Sequence, residues 1–98
     1  MFVKIHKSYR DVIAICDEDL LGKIFYEGKF QLDVKESFYK GEEKDKEQIA
    51  ELLRHEKAED ATFNIVGRNS INIALQQGII AQEGIKTIQG VPFALVLL

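Results

Sequence analysis

The chain has one cysteine, one proline and no run of apolar residues long enough to cross a membrane. A lone Cys16 cannot form an intrachain disulfide, and it leaves no second thiol for a metal quartet or a redox pair. That points to a reducing compartment, the cytoplasm. The closing stretch VPFALVLL falls far short of the ~20 residues of a membrane helix, and the opening MFVKIHKSYR lacks the apolar core of a signal peptide. No membrane partner is expected. Basic residues are also in deficit, 13 against 16 acidic for a formal charge of −3, which excludes a protein that coats nucleic acid through bulk charge. With no Pro, Gly or Ser-rich linker, the 98 residues make a single domain, 1–98.

What is present is a globular pattern, 46% apolar and 30% charged. Residues 1–7 and the continuously apolar VIAIC (12–16) predict two strands joined by a turn at SYRD. In DEDLLG, Asp17 is a possible N-cap for one helical turn that Gly22 stops. KFQLDV alternates Phe30, Leu32 and Val34 with polar residues, the pattern of a strand with one wet face. Asp45 followed by Gln48 resembles a capping box, and Ile49, Leu52 and Leu53 with Ala50 form a narrow stripe, which predicts a helix near 45–57 that covers a sheet from one side. ATFNIV reads as a strand, followed by a helix with Ile71, Ala74 and Leu75 on one face. Gly78 is expected to end that helix and let Ile79 pack back towards Ile73. IKTI and VPFALVLL are the closing strands. Together these elements predict an α+β fold: a two-layer sandwich with a mixed or antiparallel sheet and two main helices on one side.

The order and spacing of CDEDLLGK, FYKGE, NIVGRNSINIALQQGII and GVPFALVL resemble a small archaeal family catalogued as a domain of unknown function, number four hundred and twenty-four. The resemblance spans nearly the whole chain. It implies an archaeal cytoplasmic protein with a compact α-plus-β fold and no settled activity. Members of that family often carry His where Phe93 stands here and Gln where Leu95 stands. A polar site built on the closing strand is therefore absent or altered in this chain.

Catalytic signatures are scarce. His6 and His55 have no ligand-spaced companions for zinc. Cys16 ends an apolar run without an activating neighbour. Ser8, Ser37 and Ser70 show neither a G-x-S-x-G elbow nor S-x-x-K spacing, and the seven glycines match no dinucleotide or Walker loop. No catalytic residue, metal or cofactor is expected. Two features carry binding expectations. Lys4, His6, Lys7, Tyr9 and Arg10 mix cations with an aromatic, a composition that can hold an RNA backbone and stack a base, and Lys23, Lys29 and Arg68 could extend it.

Gly67, Arg68 and Asn69 open a helix, and the first reading is a structural turn; the second is an anion site in which the free amides with Arg68 hold a phosphate. A cation there opposes the helix dipole by about 0.3–1 kcal/mol, which a carboxylate such as Glu59 or Asp60 could offset. After residue 60 only Arg68, Glu83 and Lys86 are charged, and Val91, Phe93, Leu95 and Leu97 alternate with the equally apolar Pro92, Ala94, Val96 and Leu98. A strand apolar on both faces implies a homodimer or a protein partner. The leading expectation is a non-enzymatic binding module, RNA- or ribosome-associated in translation or RNA metabolism. The alternative is a protein-interaction or self-associating subunit, and an enzyme with an unrecognised site ranks third.

Overall fold

The computed structural model describes residues 1–97. Two strands open the chain, β1 (Phe2–His6) and β2 (Val12–Cys16), followed by one 3-10 turn (Glu18–Leu20). A hairpin of β3 (Ile24–Glu27) and β4 (Phe30–Asp33) comes next, then α1 (Glu36–Tyr39) and the two-residue β5 (Glu42–Glu43). The second half holds α2 (Lys46–Ala58), β6 (Thr62–Val66), α3 (Arg68–Gln76), β7 (Lys86–Ile88) and β8 (Val91–Val96). The main sheet has the order β5-β1-β2-β6-β8-β7. β2 and β6 run parallel, while the other pairs are antiparallel, so the sheet is mixed.

Both main helices start and stop as their sequences predict. Asp45 Oδ1 accepts the Gln48 amide at 2.9 Å and Gln48 Oε1 accepts the Asp45 amide at 3.0 Å, which closes a capping box on α2. α3 ends at Gly78 with φ 69°, and the Ile79 amide turns back to the Ala74 carbonyl at 2.9 Å. Ile73 and Ile79 are both buried. Helices α2 and α3 cover one face of the sheet, where Ile49, Leu53, Ile71 and Ala74 meet Val3, Ile13, Ile15, Phe63 and Ile65. Leu52 and Leu75 only flank this core.

The other face carries a second core that the chain's own hairpin and α1 supply. Ala14, Cys16 and Val66 lie beneath Val34 and Tyr39, with Phe25, Leu32, Phe38, Val91 and Phe93 packed around them. The sequence pattern shows β4 but not β3, whose Ile24, Phe25 and Tyr26 run without alternation, nor α1 and β5, which are too short for a period to register. Cys16 is fully buried, and desolvation pushes its thiol up to about 12. The thiolate is the reactive form. Folded protein should therefore resist iodoacetamide at pH 8 for as long as it stays folded, and urea should release one alkylation per chain. Modification of the native protein at the denatured rate would show that Cys16 is not packed as described.

Candidate functional site

Where β2 and β6 end side by side, three segments converge on the start of α3. The Asp17 amide bonds the Val66 carbonyl at 3.1 Å and the Gly67 amide bonds the Pro92 carbonyl at 2.8 Å, which ties β2, β6 and β8 together at this end. Asp17 precedes the 3-10 turn, as the sequence predicts for its cap, but its side chain does not cap that turn. It caps α3 instead. Oδ2 accepts the Asn69 amide at 3.0 Å, and Oδ1 accepts both the Ser70 amide at 2.9 Å and the Ser70 hydroxyl at 2.7 Å. Asp17 and Ser70 are buried.

Gly67 makes this possible. Its φ of 107° is open only to glycine, and a Cβ there would stand 2.4 Å from Asp17 Cγ. The carboxylate supplies the negative charge that a helix N-terminus attracts. The amides of Asn69 and Ser70 are thus already paired within the chain, at the place where the sequence suggests a phosphate. The carboxylate that offsets Arg68 comes from Asp17, not from Glu59 or Asp60, which follow α2 at the other end of the parallel pair. Beside this cap, Asp17, Asp19, Arg68 and Asn69 line an open cleft of about 290 Å3 whose opposite wall is Gly90 to Pro92.

The basic N-terminal cluster is dispersed. Lys4 Nζ donates to the Ser37 carbonyl at 2.9 Å. His6 Nε2 lies 2.8 Å from the Phe38 carbonyl, and its ring stacks on Phe38 at 4.5 Å. Both side chains thus join β1 to α1. Lys7 pairs with Asp11 at 3.0 Å, and its hydrogen bond holds the Asp11 carboxyl below its ordinary range. Arg10 donates to the Asp60 carbonyl at 3.3 Å, and Tyr9 is fully exposed. The register sets Val12 opposite Thr62 and Cys16 opposite Val66. Residues 7–11 therefore lie at the opposite end of the sheet from Arg68, about 17 Å away along five strand residues. One RNA-binding face made of both groups is not formed.

The four candidate interface residues, three on β8 and Leu97 just past its end, divide. Val91 and Phe93 pack beneath the hairpin in the second core, whereas Leu95 and Leu97 are exposed. The chain itself thus supplies the cover that the sequence pattern assigns to a partner at the first two positions. Leu98 lies outside the described residues. Among the described residues no three His, Cys, Asp or Glu side chains are grouped to hold a metal ion, and no helix is long and apolar enough to cross a membrane.

Two buried acids escape a reading of the sequence. Asp17 reaches partners more than 50 positions away, a separation that no local pattern signals. Glu56 was within reach, because it continues the buried stripe of Ile49 and Leu53 by one turn.

The sequence profile of a family described as "Protein of unknown function (DUF424)" matches residues 6–98. Among solved structures, the crystal structure of an uncharacterized conserved protein from Methanopyrus kandleri is similar, with a TM-score of 0.85 and 26% identity. The alignment covers 97% of this chain and 88% of that one. Among curated proteins none matches.

Proposed function

The chain belongs to this DUF424 family of unknown function, and we propose that it works as a non-enzymatic module that binds a protein partner. The observation that carries this reading is the set of large apolar side chains left outside both cores on the hairpin side of the sheet. Leu95 is 58% exposed and Leu97 74%; Tyr26 and Phe30, 57% and 71% exposed, form a separate pair near the hairpin tip, which Gln89 holds beside the β7–β8 turn at the other end of β8. Leu95 shares its side of β8 with Phe93, beyond the point where β7 ceases to pair. Single exposed leucines are ordinary, but two at alternate positions where the strand loses its neighbour make an apolar strip that a partner can cover. A partner that covers them removes apolar surface from water at about 25 cal/mol per Å2.

The test is copurification from archaeal cytoplasmic extract, with protein and nucleic acid both identified, comparing the wild type with Leu95→Glu/Leu97→Glu. The wild type should retain a defined protein that the double variant loses, with melting temperatures within a few degrees. Equal recovery by both would remove the reading. Light scattering on the purified chain distinguishes a second copy from a foreign partner.

An RNA- or ribosome-associated role in translation is a second reading, supported by Tyr9 standing fully exposed between Lys7 and Arg10. The net charge of −3 and the distance of Arg68 from that turn weigh against it. Nucleic acid in the eluate that is lost on Tyr9→Ala would favour this second reading over the first.

A further inference from the structure

Glu56 has no local structural explanation. It is 7% exposed, in the last turn of α2, where the helix dipole disfavours an acid. Among the described residues no buried side-chain oxygen lacks a partner, so the Glu56 stem is packed while its carboxylate keeps an edge open to solvent. Among the described residues its ion-pair contact is His55 Nε2 at 3.9 Å, beyond hydrogen-bond length. Its open side is a cleft of about 330 Å3, lined also by Lys7, Tyr9, Arg10, Asp11 and Glu59.

The cations of that cleft are already engaged, Lys7 by Asp11 and Arg10 by the Asp60 carbonyl. Counting Asp, Glu, Lys and Arg side chains alone, Asp11, Glu56 and Glu59 exceed Lys7 and Arg10 by one charge, and among the described residues neither Glu56 nor Glu59 makes a salt bridge to these cations. A single added cation would balance the cleft. Of the organic cations, a guanidinium fits these walls best. It is planar and weakly hydrated, it takes a carboxylate with two parallel N–H bonds, and it stacks on an aromatic face. Tyr9 supplies such a face at the mouth.

We propose that the cleft between the β1–β2 turn and the last turn of α2 binds a guanidinium group, with Glu56 as its principal acceptor, Glu59 as a second acceptor and Tyr9 stacked on it. The group belongs either to a free small cation or to an arginine side chain of a partner. The cleft lies on the α2 side of the β1–β2 turn and Leu97 follows β8, and the proposal stands without the protein-binding role assigned to Leu95 and Leu97.

Titration of 15N-labelled protein with methylguanidinium and with N-acetyl-arginine amide, at constant ionic strength, tests it. Amides of residues 7–11 and 55–59 should shift saturably, with a Kd on the order of 1 mM. Glu56→Gln keeps the shape of the side chain and should weaken binding about tenfold or more. Tyr9→Ala, at a fully exposed position that folding does not need, should weaken it severalfold. Leu95→Glu/Leu97→Glu should bind like the wild type, so a failure of the protein-binding role leaves this result intact. Tighter binding of the arginine amide assigns the site to a peptide side chain, and equal binding assigns it to a free cation. Shifts linear in concentration for the wild type, or an affinity unchanged in both Glu56→Gln and Tyr9→Ala, would overturn the proposal.

Discussion

Replacing Asp17 by alanine should cost roughly 3–5 kcal/mol, a large fraction of the about 5–15 kcal/mol that holds such a domain folded. One carboxylate satisfies the Asn69 amide, the Ser70 amide and the Ser70 hydroxyl, and Ser70 is 1% exposed. Water cannot easily reach the Ser70 groups once the carboxylate is gone, and each buried donor left unpaired costs about 1–3 kcal/mol. Loss of the negative charge at the start of α3 adds a smaller helix-dipole contribution. Asn at the same position keeps one carbonyl oxygen and should recover part of the loss. Urea unfolding of the three proteins measures this order: wild type, then Asp17→Asn, then Asp17→Ala. If alanine shifted the midpoint no more than a surface substitution does, the cap would contribute nothing to folding.

The second large effect is expected at Gly67. Alanine there must either hold φ near 107° or displace the turn, and its Cβ would overlap Asp17 Cγ at 2.4 Å. Backbone strain of this kind costs about 1–3 kcal/mol, and pushing Asp17 away forfeits hydrogen bonds of similar worth. A loss of roughly 2–6 kcal/mol follows from the two together. The two substitutions act on one unit, so they should not add. In the Asp17→Ala background, Gly67→Ala meets no carboxylate and should cost only the backbone share. A double-mutant cycle by denaturant unfolding measures the coupling. Full additivity would mean that Gly67 and Asp17 do not act through each other.

Local periodicity carried most of the architecture. The Asp45–Gln48 capping box, the Gly78 stop, VIAIC, ATFNIV and the closing strands are each visible because the signal repeats within one element or sits at its end. They suffice for an α+β domain with α2 and α3 on one side of a sheet. The hairpin partner β3 escaped because Ile24, Phe25 and Tyr26 do not alternate with polar residues, and α1 because four residues span barely one helical turn. Their absence from the sequence-based reading is why the second face of β8 looks uncovered, although Val91 and Phe93 lie beneath the chain's own hairpin.

At the candidate sites the division is sharper. The sequence by itself marked the Gly67–Asn69 helix start, the basic turn around Tyr9 and the apolar last strand. Only the tertiary structure decided that Asp17 occupies the α3 amides, that Arg68 and the turn at 7–11 sit at opposite ends of the parallel pair, and that Glu56 faces a cleft. The physical reason is range. Helix and strand periods are set by neighbours two to four positions apart, whereas a carboxylate that caps a helix 53 residues away is placed by the pairing of strands. Composition and pattern therefore determine which faces are apolar, and the sheet order determines which charged groups meet.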